Sequence, residues 1–420
     1  MAAAISSFVR GTGGSALRVS VRGAERSRKF PPPPGGRTHH SHSSSSSVVG
    51  EEMAKAAGYA VEAHEVRTAD GYVVRLDRLV GGRPGGQPAL LLHGLFCASD
   101  LWLLRGPGAA LGYLLADDGY DVWLMNFRGN RYSARHTTLN TTDPSFWKFS
   151  WHEMAVWDLP ATIDHVLAVT GWRQLQAVGH SMGNTALLAM LASRPQYARK
   201  LALGSLLAPV AYVHTFRVPF SHFLLADWRH IQSLLQRARI YRVPPTTKES
   251  CSLLQKTCGD DKPTQDLCLN LIQTLYGWDP QGLNKSALPF YLSHMFAGVS
   301  VDTIAHFAQI IKSGRFEAMD RGPEENLRRY GSTRPPAYHL QRIDAPLALY
   351  YADNDYELHP KGVMRLAQEL QNVVSIERVP ETAFNHIDFL LHKQVLSLLY
   401  SSVMAVMQQF RHSIAANISP

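Results

Sequence analysis

A serine stands between two glycines in the segment "GHSMGN", residues 179–184, and this spacing is one in which serine serves as a nucleophile. In the pattern G-x-S-x-G, the glycines remove Cβ atoms that would collide where a strand turns sharply into a helix. Gly179 and Gly183 flank Ser181, an apolar stretch precedes the turn, and helix-forming residues follow it. The alternative is a serine in an ordinary glycine-flanked turn, and the strand-turn-helix context favours the nucleophile.

A serine hydroxyl becomes a useful nucleophile only when a histidine removes its proton and an acid orients that histidine. Where a nucleophilic serine lies on a sharp turn between a strand and a helix, the acid follows the serine along the chain and the histidine comes last. Asp355 follows the apolar segment "LALYYA", and Asp353 is the competing acid two residues earlier. His386, in "AFNHIDF", follows the last strand-like segment. We therefore predict a triad of Ser181, Asp355 and His386.

Other histidines lie close enough in sequence to be considered as the base. His359 and His392 are the alternatives that flank the favoured position. His180 is adjacent to the serine, so its side chain starts on the neighbouring position and points elsewhere. Position along the chain therefore selects His386.

Two backbone N–H groups are predicted to hold the negative charge that forms on the ester oxygen. One belongs to Met182, directly after the nucleophile, and the other to Leu95 in "HGLF", after an early apolar segment. The N-terminus of the helix that follows Ser181 adds a favourable dipole at the same place.

Two further charged patterns invite functional interpretations. "RGNRYS" suggests a phosphate site through Arg128 and Arg131, although a loop held by its own charges is the favoured interpretation. Asp158 and Asp164 are six residues apart on one predicted helix, so they do not share a face. No metal-ligand spacing and no nucleotide-binding loop are found in the sequence, and triad chemistry needs no cofactor.

Strand and helix patterns alternate along the chain, which predicts an α/β fold with a mostly parallel sheet. "AHEVRTADGYVVRLDRLVGG" is typical of a hairpin that turns at Asp70-Gly71, and Gly171 is a helix stop signal. We predict a core in two parts, residues 51–211 and 337–412, with a helical cap at 212–336 inserted between them.

The net charge of +8 is concentrated at the N-terminus, where residues 1–50 hold seven Lys or Arg against one acid. The remaining chain has 35 basic and 33 acidic residues, so no nucleic-acid partner is implied. The proline- and serine-rich tail 1–50 is predicted to be disordered. It resembles a transit peptide, and an incorrect start in place of a signal peptide is the alternative. No apolar run is long enough for a transmembrane helix.

Cysteines and glycosylation sequons bear on the compartment of the protein. Three of the four cysteines fall within 18 residues, which is compatible with a disulfide-stapled loop and not with a zinc site. The N-x-S/T pattern occurs at Asn140, Asn284 and Asn417. These features favour a lumenal location.

Several segments, in the same order, resemble the acid lipases, a family that includes gastric, lysosomal and insect lipases. They span residues 58–400 and include "EVRTADGYVVRLDR", "LLHGLFCASDLW", "AVGHSMGN", "FYLSHMFAGVSVDTIAHFAQIIKSGRF" and "FNHIDF". The resemblance implies an α/β-hydrolase fold with a helical lid, and hydrolysis of long-chain fatty acid esters such as triacylglycerols or sterol esters. The implied partner is a lipid ester at a lipid–water interface or in a micelle, in a secreted or lysosomal setting.

Carried onto this chain, the family's triad falls on Ser181, Asp355 and His386, and its oxyanion donors fall on Leu95 and Met182. Met182 stands where the family usually has Gln, which leaves the backbone N–H unchanged. The resemblance also implies a cap disulfide between Cys258 and Cys268, with Cys251 either unpaired or the true partner. Three other functions stay open: a short-chain esterase, an acyltransferase, and a lipid-binding relative without catalysis.

Overall fold

The computed structural model describes residues 49–80, 85–213, 217–218, 227–244, 256–259 and 262–415. Cys251, Asn417 and the tail 1–48 lie outside the described residues. The strands are β1 Ala60–Arg67, β2 Tyr72–Val80, β3 Pro88–Leu92, β4 Asp121–Met125, β5 Arg135–His136, β6 Leu175–His180, β7 Leu201–Leu207, β8 Arg242–Val243, β9 Val299–Ser300, β10 Leu347–Tyr351 and β11 Val373–Arg378. The α-helices are α1 Val49–Ala56, α2 Leu111–Asp117, α3 Trp151–Glu153, α4 Leu159–Thr170, α5 Met182–Ser193, α6 Trp228–Arg237, α7 Gln265–Tyr276, α8 Leu288–Met295, α9 Val301–Ser313, α10 Pro323–Tyr330, α11 Pro360–Glu369, α12 Asp388–Leu391 and α13 Ser401–Ala415.

Eight strands of the main sheet follow the order β1-β2-β4-β3-β6-β7-β10-β11, and β5 pairs with β2. Pairing is parallel from β4 through to β11 and antiparallel between β1, β2 and β4. Every residue of β3, β4, β6 and β7 is buried, because parallel strands carry helices on both faces. The predicted α/β architecture is confirmed.

The predicted hairpin is also confirmed. Strands β1 and β2 pair with Arg67 opposite Val73, and Gly71 in the connecting turn has φ 95°, a conformation that glycine adopts without a steric penalty. The side chain of Thr68 closes the turn by accepting the backbone N–H of Tyr72 at 3.0 Å.

The predicted helix that ends at Gly171 is present, with one irregularity. A π-helical turn, Met154–Asp158, separates α3 from α4. Pro160 follows this turn and has no N–H to donate to the carbonyl four residues earlier, so the regular hydrogen-bond pattern is broken there. Gly171 ends α4 with φ 72°.

Between β7 and β10 the described helices are α6, α7, α8, α9 and α10, and the short strands β8 and β9 pair with each other and not with the main sheet. At the other end of the described chain, α1 includes Val49 and Gly50, two residues that the sequence assigns to the tail. Among the described helices, none is both long and apolar enough to cross a bilayer.

Arg128 is fully buried and binds two carboxylates. Its guanidinium lies 2.6 Å from Asp158 in the π-turn and 2.6 Å from Asp70 in the hairpin turn. A phosphate is therefore not needed to explain this arginine, because two carboxylates from outside the "RGNRYS" loop neutralise its charge. The three residues join the hairpin turn, the loop after β4 and the π-turn that precedes α4.

We expect Asp158→Asn to lower the free energy of unfolding by about 3 kcal/mol, because it leaves a buried guanidinium with only one carboxylate. Asp353→Asn is a matched control, since Asp353 pairs with Arg378 where both side chains are about half exposed. This control is expected to change stability by less than about 1 kcal/mol. Urea unfolding of both variants measures the difference, and equal losses would contradict a structural role for the buried pair.

Candidate active site

Ser181 lies between β6 and α5 in a backbone conformation that non-glycine residues rarely adopt. Its φ is 51° and its ψ is −116°. The backbone N–H of Ser181 donates to the carbonyl of Leu207 at 3.1 Å, and its carbonyl accepts the N–H of Asn184 at 2.9 Å. These bonds to the neighbouring strand and to the first turn of α5 hold the serine on a strained, sharp turn.

The two glycines of the motif are places where no side chain fits. A Cβ on Gly183 would lie 2.5 Å from the carbonyl oxygen of Leu92 at the end of β3, and one on Gly179 would collide with the side chain of Asn184. Gly94 is a third such position, which the sequence does not single out, because a Cβ there would lie 2.8 Å from Nδ1 of His180 and 3.3 Å from the Cβ of Ser181. The turn therefore packs directly against the loop that follows β3.

Asp355 and His386 contact each other at the same edge of the sheet. The imidazole Nδ1 lies 2.7 Å from Asp355 Oδ2, and both residues are buried. Asp355 Oδ1 accepts the backbone N–H groups of Glu357 and Leu358, each at 2.9 Å, which fixes the orientation of the carboxylate. The structure brings together the acid and the histidine that the sequence favours.

The rival residues make other contacts. Asp353 pairs with Arg378 at the surface, and the ring of His359 accepts the N–H of Lys361 at the start of α11. His392 lies 3.5 Å from Asp279. Their partners account for all three without a role beside Ser181.

Glu357 is a residue of the site that sequence reasoning missed. Its Oε2 lies 3.2 Å from Nε2 of His386, on the ring nitrogen opposite to Asp355. Burial lowers the pKa of His386, but the charges of Asp355 and Glu357 outweigh it and raise the pKa to about 9. The one sign of this contact in the sequence is that Glu357 stands only two positions after the predicted acid Asp355.

His180, beside the nucleophile, contacts the backbone of the histidine loop. Its Nε2 lies 3.0 Å from the carbonyl oxygen of His386, and the two rings are 4.9 Å apart. A carbonyl only accepts, so Nε2 of His180 carries the proton. Burial holds the pKa of His180 well below its usual value, so the ring is neutral. His180 therefore donates its Nε2 proton to the backbone of the histidine loop.

The predicted oxyanion donors lie on two segments that meet at the turn. Met182 opens α5, where the first N–H groups of a helix have no intrahelical acceptor. Leu95 lies in the loop after β3, which His93 braces by accepting the N–H of Phe127 at 3.1 Å. Within the described part of the chain, neither the Leu95 nor the Met182 N–H donates to another residue. Both donors are therefore available to a ligand.

A disulfide joins Cys258 to Cys268, the pairing that the resemblance implies. Cys97 is buried and reduced in the loop after β3. The sequon residues Asn140 and Asn284 are both exposed. Among the described residues, no group of three or more histidine, cysteine or carboxylate side chains could hold a metal ion.

Comparisons with known proteins agree with this architecture. Residues 51–106 match a family described as a partial alpha/beta-hydrolase lipase region, and residues 87–257 match the alpha/beta hydrolase fold. Together with the sheet topology, these matches define an α/β hydrolase.

Lipase 1 of Drosophila melanogaster is 37% identical over 350 residues, which cover 83% of this chain and 77% of that protein. Lipase member K of Homo sapiens is 35% identical and covers 84% of this chain and 89% of its own. Gastric triacylglycerol lipase of Bos taurus is 35% identical over a region that covers 85% of this chain and 90% of that protein. A thermophilic esterase from Thermogutta terrifontis covers 83% of this chain and 99% of its own at 14% identity and a TM-score of 0.47, a likeness too remote to inform function.

The chain belongs to the acid lipase family of the α/β hydrolases. It is a carboxylic ester hydrolase.

We expect Gly183→Ala to destabilise the protein by about 1–3 kcal/mol, because the added methyl must displace the backbone of β3 or of α5. Gly50→Ala is the control, since a Cβ at Gly50 in α1 would meet its nearest neighbour at an ordinary 3.4 Å. Urea unfolding compares the two, with ester hydrolysis measured alongside. An active Gly183→Ala protein of unchanged stability would contradict the close approach described here.

Proposed function

We propose that this chain hydrolyses esters of long-chain fatty acids, such as triacylglycerols or sterol esters, through Ser181, His386 and Asp355. The observation that carries the proposal is the 2.7 Å contact between His386 and Asp355 at the sheet edge that also holds the strained Ser181 turn. The three residues follow three different strands, β6, β11 and β10.

In the first half of the reaction, the Ser181 oxygen attacks the ester carbonyl while neutral His386 takes the hydroxyl proton at Nε2. Asp355 accepts the Nδ1–H and stabilises the imidazolium that forms. The backbone N–H groups of Leu95 and Met182 hold the oxyanion of the tetrahedral intermediate. His386 then gives its proton to the leaving alcohol, and the acyl group remains on Ser181.

In the second half, a water molecule takes the place of the alcohol. His386 removes a proton from the water as its oxygen attacks the acyl carbon, and the same two N–H groups hold the new oxyanion. The proton returns through His386 to the Ser181 oxygen as the fatty acid leaves. The enzyme ends in its starting state.

An apolar stripe on α7 supports a lipid substrate presented at a lipid–water interface or in a micelle. Leu267, Leu271 and Leu275 recur every four residues, and Trp278 follows them; all four are exposed, Leu267 to 68%. Side chains at this spacing share one helix face, and an aqueous surface does not favour such a patch. The bovine relative, named for triacylglycerol, points to the same chemical class.

The cap and the compartment complete the proposal. We propose that the helices described within 212–336 form a cap between the two core parts, 51–211 and 337–412. A disulfide in that segment and the exposed sequon residues Asn140 and Asn284 support passage through an oxidising lumen, for secretion or for the lysosome.

We expect Ser181→Ala to abolish hydrolysis, with a loss of about 10⁴-fold or more in kcat. The measurement is acid release from an emulsified long-chain triacylglycerol, a cholesteryl ester and a soluble short-chain ester. The wild-type ranking of the three separates a lipase from a short-chain esterase.

Two outcomes would contradict the proposal. One is a Ser181→Ala protein that still releases long-chain acid. The other is a folded wild-type protein that binds lipid and cleaves none of the three esters, which would favour a carrier.

We expect Asp355→Asn to lower kcat by about 10⁴-fold, since the amide cannot hold the imidazole in the required tautomer. Asp353→Asn makes the same chemical change two residues away, on a side chain that faces Arg378. Its kcat is expected to stay near wild type in the same assays. If the two effects were reversed, Asp353 would be the acid of the triad.

A further inference from the structure

One short loop after β10 directs two carboxylates at a single imidazole. Asp355 Oδ2 lies 2.7 Å from Nδ1 of His386, and Glu357 Oε2 lies 3.2 Å from Nε2. The backbone N–H of Glu357 also donates to Asp355 at 2.9 Å, so the loop is folded around this arrangement. Both ring nitrogens therefore face an acceptor.

This arrangement conflicts with the role of the base. A neutral imidazole carries one N–H and can donate to only one carboxylate, so two ionised carboxylates favour the cation with both nitrogens protonated. Burial raises the pKa of Glu357, whereas the charge of His386 acts to lower it, so the ionised carboxylate depends on the cation that it faces. The cation cannot accept the Ser181 proton. Among the described residues, no hydrogen bond joins the Ser181 hydroxyl to Nε2, and Glu357 occupies that side of the ring.

Among the residues that the structure describes, the other groups around the ring supply no competing positive charge. Those facing His386 or Glu357 are His180 and Tyr276, whose rings lie 4.9 and 6.2 Å from the imidazole, and the thiol of Cys97. Burial lowers the pKa of His180 and raises the pKa values of Tyr276 and Cys97, so all three are neutral. Asp388 is a further carboxyl group on the far side of Asp355. Burial and the neighbouring Asp279 raise its pKa, so it adds no positive charge either.

We propose that Glu357 is a fourth ionisable residue of the active site, which holds His386 as a cation at rest and must release Nε2 before Ser181 can react. This inference rests on the proposed function. Glu357 is the partner able to move, because its side chain is 26% exposed whereas that of His386 is 3% exposed. Rotation of the carboxylate toward solvent removes one negative charge from the ring.

Release can proceed in two ways that balance the proton. The Nε2 proton passes to Glu357 Oε2, which gives a neutral imidazole and a neutral carboxylic acid, and the acid then turns away from the ring. Otherwise the carboxylate turns away first, the pKa of His386 falls, and the Nε2 proton passes to water. Each route leaves a free lone pair on Nε2, which the proposed reaction requires.

The sign of the pH effect follows. The acid limb of kcat/KM reports the pKa of the base in the free enzyme. Glu357 raises the pKa of His386, so activity of the wild type is lost at a higher pH than it would be without this carboxylate. Glu357→Gln removes the charge and is expected to move the acid limb down by about one pH unit, which is a tenfold gain in rate on its acid side.

The experiment measures the pH profile of ester hydrolysis for full-length wild type, Glu357→Gln, Glu357→Ala and Asp353→Asn. The alanine variant removes any hydrogen bond from the glutamine amide to Nε2 and is expected to shift in the same direction. Asp353→Asn removes an equal charge from the same segment, on a side chain that faces Arg378, and its acid limb is expected to match wild type. Thermal unfolding confirms that the variants are folded.

A second readout does not depend on activity. Nitrogen-15 NMR of the His386 ring, in a Ser181→Ala background, gives its pKa with and without Glu357. A fall of about one unit on Glu357→Gln, together with the shifted rate profile, supports the proposal. An unchanged pKa overturns it, whatever the rates. The pKa of His386 could also fall while the proteins that retain Ser181 cleave no ester. In that case the proposed function fails, and the catalytic role of Glu357 fails with it.

Discussion

The site depends on the backbone of Ser181, which is held at a positive φ between a buried strand and a buried helix. Such a conformation costs about 1–3 kcal/mol and persists only where the surroundings impose it. Here the surroundings are the carbonyl of Leu207, which binds the serine N–H, and the end of β3, which leaves no room for a side chain at Gly183. The turn presents the hydroxyl at the carboxyl edge of the sheet.

The rest of the site is organised around that edge. Parallel strands end there, so the loops after β3, β6 and β10 converge without long connections, and the histidine loop after β11 reaches the same place. The last turn of α8 and the residues that follow it contact this region as well. Arg131 binds the carbonyls of Ser293 and His294, and the N–H of Ala297 donates to the carbonyl of Phe96 beside Leu95. These contacts join the region around α8 to the loop that contains Leu95.

The buried charged residues form two groups that differ in the balance of positive and negative charge. Arg128 with Asp158 and Asp70 forms a closed set whose members satisfy one another, which suits a structural role. The set around His386 holds two carboxylates for one imidazole, and one of the carboxylates borders solvent. A group of two carboxylates and one imidazole can adopt more than one protonation state, which suits a site that must transfer protons.

Local pattern determined much of this protein in advance. Continuous apolar runs predicted the buried parallel strands, glycines marked the Ser181 turn and the end of α4, and the order of serine, acid and histidine followed from the order of the strands. The sequence did not exclude Asp353 as the acid of the triad in place of Asp355, and it did not single out Gly94 or Glu357. Only the tertiary structure shows which of these residues contact His386 or the Ser181 turn, because such contacts join residues far apart in the chain. Glu357, for example, contacts a ring 29 positions later, and His180 contacts a carbonyl 206 positions away. Spacing along a strand predicts which face a side chain takes, whereas the path of a loop decides what that side chain meets.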